Sequence, residues 1–95
     1  MAGILIFTNQ EVLNHKIKDG MLSEGNECYW TLTRMPVRHI DRLYFAIKGQ
    51  VKGYFKIKTM PYGEIVFNSE TWTPIEEGEV LKPSQGWRYY DAPAQ

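Results

Sequence analysis

The sequence predicts a mainly β domain with one or two helices (α+β), built as a small curved antiparallel sheet. Three observations predict it. Residues 41–58 (DRLYFAIKGQVKGYFKIK) carry two runs of period-two alternation around Gly49-Gln50, the period of a strand. Short runs rich in β-branched and aromatic residues recur along the chain, punctuated by Pro36, Pro61, Gly63 and Gly86, as strands and turns require. One stretch carries a helix-start signal, near the N-terminus.

The central hairpin comes first. Leu43, Phe45 and Ile47 alternate with Arg42, Tyr44, Ala46 and Lys48. Val51, Gly53, Phe55 and Ile57 alternate with Lys52, Tyr54, Lys56 and Lys58. One face is apolar, the other basic and aromatic. A two-residue Gly49-Gln50 turn would set apolar rows beside basic ones, which half-buried strands do not tolerate. A three-residue loop, Lys48 to Gln50, pairs Ile47 with Val51, Phe45 with Gly53 and Leu43 with Phe55; a five-residue loop keeps the faces consistent too. Opposite Phe45, Gly53 marks a bend or a place where an aromatic ring lies over bare backbone.

The remaining elements follow in chain order. Gly3 to Phe7 is an apolar run, expected as a buried first strand. Thr8-Asn9-Gln10-Glu11 has the form of a capping box, with Phe7 and Val12 at the staple positions. It predicts a helix from Asn9 to Lys18 that ends at Gly20, with Leu13 and Ile17 as its buried stripe and His15 beside it. Ser23 to Glu27 is a loop. Cys28 to Thr33 is a strand, with Cys28, Trp30 and Leu32 on one face and Tyr29, Thr31 and Thr33 on the other. Arg34 to Ile40, broken by Pro36, connects it to the hairpin. Residues 60–63 form a turn and Glu64 to Asn68 a strand. Pro74, Glu76 and Glu77 suit one helical turn. Gly78 to Gln85 is a loop, Gly86 to Asp91 a last strand, and Ala92 to Gln95 a tail. Residues 1–95 form one domain with one modest core.

Composition is that of a globular chain, 43% hydrophobic and 23% charged, and excludes wholesale disorder. We expect neither a membrane span nor a signal peptide. The single cysteine, Cys28, excludes an internal disulfide and fits a reducing, cytoplasmic setting. Net charge is zero, yet Trp30 to Met60 holds seven basic residues against the one acid Asp41, and Pro61 to Gln95 two against six. Such a local basic face can meet phosphate or an acidic protein; strand lysines also keep sheets soluble and unpaired at their edges.

Cys28, His15 and His39 lack paired spacing, so no metal and no cofactor is expected. There is no Gly-rich phosphate loop and no nucleophile elbow. Glu76, Glu77 and Glu79 form a solvated cluster rather than a catalytic pair. The aromatics are the stronger signal. Tyr44 and Tyr54 interleave with lysine and arginine on the hairpin, the pattern that stacks bases and holds phosphate. Trp72 and Trp87 sit in or beside loops, where rings line pockets.

Four segments resemble the PUA-like superfamily, close to its ASCH and EVE domains: Tyr29-Trp30 followed by a basic, proline-containing link; Ile40-Asp41-Arg42-Leu43-Tyr44-Phe45; Val51-Lys52-Gly53-Tyr54-Phe55-Lys56-Ile57; and Gly86-Trp87-Arg88-Tyr89. The resemblance spans about two thirds of the chain. Ile40 stands where that superfamily usually has glycine. Its amidohydrolases of acetylated cytidine carry a lysine soon after the helix-ending glycine; here Met21-Leu22-Ser23-Glu24 follow Gly20. The resemblance implies a sheet closing into a pseudo-barrel and a binding role, with RNA or a modified base held between strands and loops. The candidate nucleic-acid-binding residues are Trp30, Arg34, Arg38, Lys52, Tyr54, Lys56, Trp72 and Trp87. The competing readings are a small regulatory, phage-type module whose basic face meets an acidic protein, and a nucleoside amidohydrolase, which lacks its lysine.

Overall fold

A computed structural model of the chain describes residues 2–22 and 27–91. Of the loop expected at Ser23 to Glu27, residues 23–26 lie outside the described residues, as does the tail at 92–95, and Glu27 opens a strand instead. Among the described residues, seven strands and one α-helix form in the order β1 (Ala2–Thr8), α1 (Gln10–Leu22), β2 (Glu27–Thr31), β3 (Arg42–Ile47), β4 (Gln50–Thr59), β5 (Glu64–Asn68), β6 (Thr73–Pro74) and β7 (Trp87–Asp91), with a 3-10 turn at Ser69–Thr71 between β5 and β6. The strands lie side by side as β2-β5-β4-β3-β1-β7, and β6 pairs with β4 off that path.

This is a mainly β domain with one helix, but two features of its sheet differ from the expectation. The sheet is mixed: β1 runs parallel to β3, from Gly3 opposite Arg42 to Thr8 opposite Ile47. A parallel pair needs a long crossover, and residues 9–41 with α1 and β2 supply it. The sheet also does not close into a barrel, since its path ends at β2 on one side and β7 on the other. β1 lies between β3 and β7 and is buried on both faces. Its continuous Ile4-Leu5-Ile6 run is what such an inner strand requires.

Each face of the sheet has its own core. Ile4, Ile6, Leu13, Leu43, Phe45, Phe55, Ile65 and Phe67 are buried on one side, with Trp30 and Trp72 packed against them. Leu5, Tyr44, Ala46, Val51 and Tyr90 are buried on the other, with Tyr54, Ile75 and Leu81 against them. The hairpin face expected to be open, basic and aromatic is therefore a second core in its middle. What covers it is the segment after β6. The Ile75 amide donates to the Lys52 carbonyl (2.9 Å), Val51 to Glu79 (2.8 Å) and Leu81 to Gly49 (2.7 Å). These bonds extend the sheet past β6 and bring Ile75 and Leu81 against this second core, in which Tyr44 meets Tyr90 edge-on at 4.9 Å. No helical turn starts at Pro74; residues 76–77 form a plain turn.

The hairpin register is resolved by a bulge. Leu43 pairs with Phe55 and Phe45 with Gly53, as expected, but Ala46 pairs with Val51 and Ile47 with Gln50. The loop is the two residues Lys48 and Gly49, both at positive φ (51° and 83°), the signature of a type I′ turn. Lys52 is the extra residue, and the irregularity between Phe45 and Ala46 restores the inward faces that a simple two-residue turn would lose.

The helix also starts one residue later than expected. Thr8 remains in the β1 ladder opposite Ile47. Asn9 is the cap: its side-chain oxygen accepts from the Val12 amide at 2.8 Å. Asparagine caps more strongly than threonine. The helix then runs through Gly20 to Leu22, because one interior glycine weakens a helix without ending it. Leu13 is buried and Ile17 partly so, as the stripe requires, while His15 is exposed.

Candidate nucleic-acid interface

The site forms where β2, the connection after it and β7 meet. Along β2, Trp30 faces inward and Tyr29 and Thr31 outward, as the alternation predicts. The Trp30 ring meets Phe45 edge-on at 5.2 Å between centroids, and the Lys16 ammonium lies 5.6 Å from its centroid. After Leu32 the chain leaves the sheet and turns toward β7.

Trp87 and Arg34 are joined there at both ends. The Trp87 indole N–H donates to the Arg34 carbonyl at 2.6 Å. The Arg34 guanidinium lies 4.0 Å from the indole centroid, and its Nη2 reaches the Trp87 carbonyl at 3.4 Å. One strand step further, Arg38 lies 4.5 Å from the Tyr89 ring. The Tyr89 hydroxyl accepts from the amides of Val37 (2.8 Å) and Arg38 (3.2 Å). Trp87 and Tyr89 themselves meet edge to face at 4.9 Å. The result is a row of two rings on β7, each under an exposed arginine. A guanidinium over a ring is a cation–π pair. Such stacking leaves the outer face of the guanidinium available to a base or a phosphate, although one Arg34 nitrogen is already turned to the Trp87 carbonyl.

Beside this row lies a cleft of about 250 Å³, lined by Ile6, Phe7, Trp30, Thr31, Leu32, Thr33, Gly86 and Trp87. Its lining combines two tryptophans and apolar side chains with two threonines. A wider hollow of about 450 Å³ runs along Gln10, Glu11, Asn14, His15 and Lys18. It is one polar helix face without an aromatic wall.

Of the eight residues singled out from the sequence, the structure brings four together: Trp30, Arg34, Arg38 and Trp87. The other four lie elsewhere. Trp72 packs on Phe55 at 4.9 Å and over Gly53, and does not line the cleft. Tyr54 is half-buried, 5.3 Å from the Tyr44 ring, with the Arg42 guanidinium 4.2 Å from its centroid. Lys52 donates to Gln50 at 3.1 Å. Lys56 is exposed, and its amide is bound by the Thr71 hydroxyl at 2.9 Å. Sequence reasoning missed Tyr89. It was legible as the ring two residues after Trp87, on the same strand face, with Arg38 as its counterpart upstream.

The Arg42 guanidinium, which donates to the Tyr44 hydroxyl at 3.3 Å, is held above its ordinary pKa, chiefly by that bond. Burial, aided by its bond to Glu79, pushes the Tyr90 phenol well above the usual tyrosine range. Neither group lies in the cleft. Among the described residues no three His, Cys, Asp or Glu side chains are grouped to hold a metal ion, and no helix is long and apolar enough to cross a membrane. Compared with protein-family models, with curated proteins and with solved structures, the chain matches none.

Proposed function

We propose that the protein is a nucleic-acid-binding module that takes an unpaired base, of RNA or in modified form, into the cleft between Trp30 and Trp87. The observation that carries this reading is the arginine pair stacked on the β7 rings beside that cleft. An unpaired base needs aromatic and apolar surface, and its phosphates need nearby cations; support comes from the two tryptophans that line the cleft and from Arg34 stacked on one of them. The cleft is smaller than the ~300–1,000 Å³ of ordinary small-molecule pockets, which suits one base-sized group with its backbone left outside. Kinship with the PUA-like superfamily is part of the proposal. The four resembling segments fall on β2, β3, β4 and β7, in order.

Titration of the intrinsic tryptophan fluorescence with single-stranded RNA, single-stranded DNA and modified nucleosides, at several salt concentrations, tests this. Quenching that weakens as salt rises is expected, because phosphate contacts release counterions. Absence of salt-sensitive binding to any of them overturns the reading.

A further inference from the structure

We infer that Tyr62 is a second base-stacking platform at the rim of the cleft, so that the partner is a single strand of at least two nucleotides rather than a free nucleoside. The inference rests on the base-binding reading above and adds to it a residue and a footprint.

Tyr62 is 97% exposed. A lone exposed tyrosine signifies little; what distinguishes this one is how its turn is held. The Glu64 amide closes the turn on the Pro61 carbonyl at 3.0 Å, and the Leu32 amide donates to the Gly63 carbonyl at 2.8 Å. Leu32 is itself a wall of the cleft. On the other side, the Gly63 amide donates to the Met35 sulfur at 3.3 Å, one residue beyond Arg34. The turn is thus tied both to the cleft lining and to the arginine-bearing connection. Pro61 stiffens its approach. An exposed ring on a turn whose backbone is bonded to a wall of the cleft offers a flat surface to the neighbouring base of the same strand.

Charge selects the occupant. Arg34 and Arg38 flank the same connection, and Val37 between them is 93% exposed. An apolar tip between two cations suits a strand that alternates flat bases with phosphates.

The test compares adenosine monophosphate with the RNA trinucleotide AAA at one ionic strength, on the parent, Tyr62→Ala and Tyr62→Trp. The parent should bind AAA at least about tenfold more tightly than the mononucleotide. Tyr62→Ala should lower AAA affinity by about five- to a hundred-fold, leave mononucleotide affinity and the salt slope unchanged, and melt with the parent. Tyr62→Trp should restore AAA binding. Equal affinity of the parent for both ligands, or a Tyr62→Ala variant that binds AAA like the parent, overturns the footprint and leaves the base site standing. Failure of the parent to bind either ligand overturns the base-binding reading itself, and the footprint with it.

Discussion

The Trp72 ring lies on the bare backbone of Gly53: a methyl group built there would sit 2.8 Å from the indole and 2.5 Å from the Thr73 carbonyl oxygen. This contact joins β4 to the segment after β5 and lets β6 pair at Gly53 and Tyr54. Gly53→Ala should therefore cost about 1–3 kcal/mol, the scale of overpacking a filled site. Chemical denaturation of the variant checks it; an unchanged midpoint would mean that the indole moves aside freely.

The cap gives a paired prediction. Asn9→Ala should destabilise the protein by about 0.5–2 kcal/mol, because the Val12 amide loses its acceptor. Thr8→Ala should cost less, since Thr8 is in the strand and is not the cap. Thermal melts of the two variants decide; a larger loss at Thr8 would move the helix start back by one residue.

How far the sequence carried the fold depended on whether local pattern or distant coverage decided each residue. The faces of β2, the bounds of β5 and the Leu43–Phe55 pairing were legible, because each follows from local pattern; Gly53 was legible as either a bend or a seat for a ring, and the ring is Trp72. Tyr44 was misread because nothing local marks its burial. It lies among Arg42, Ala46 and Lys48, and it is buried in a cluster completed by Tyr90, which it meets at 4.9 Å, and by Ile75 and Leu81, all thirty or more residues away. The parallel pairing of β1 was hidden for the same reason, as its partner is reached only after α1 and β2. In the site, tryptophans beside loops and arginines near a strand tryptophan were visible. Which rings shared a surface was not, since that depends on β7 lying beside β1 and the connection after β2 folding back to it.

Tyr90 provides a pH signature. Its hydroxyl donates to Glu79 at 2.8 Å, and burial first, the Glu79 bond second, raise its pKa above the ordinary value. The folded state thus keeps a proton that the unfolded chain releases above about pH 10. Stability from this group is whole below that pH and is lost as pH rises toward the folded pKa. Tyr90→Phe should have a shallower alkaline loss of melting temperature than the parent between pH 9 and 11. Parallel profiles would show that Tyr90 ionises as readily folded as unfolded.

The two basic surfaces can be separated by their salt dependence and their stability. Arg38 is exposed and stacked beside the cleft, whereas Lys52 and Lys56 stand on β4 and line none of it. Removing the cation that neutralises one phosphate of a single strand lowers the salt slope by about 0.7. Arg38→Ala should show that drop with RNA, and Arg38→Lys should not recover full affinity, because an ammonium does not stack on Tyr89 as a planar guanidinium does. Lys52→Ala and Lys56→Ala should bind and melt like the parent. Tyr54→Ala should instead cost about 1–3 kcal/mol of stability, since its half-buried ring packs on Tyr44 beneath Arg42. Its affinity at a temperature where it remains folded should match the parent's. If the lysine variants lower the slope and Arg38→Ala does not, the strand runs along β4, and the interface moves from the Trp30–Trp87 cleft to the hairpin.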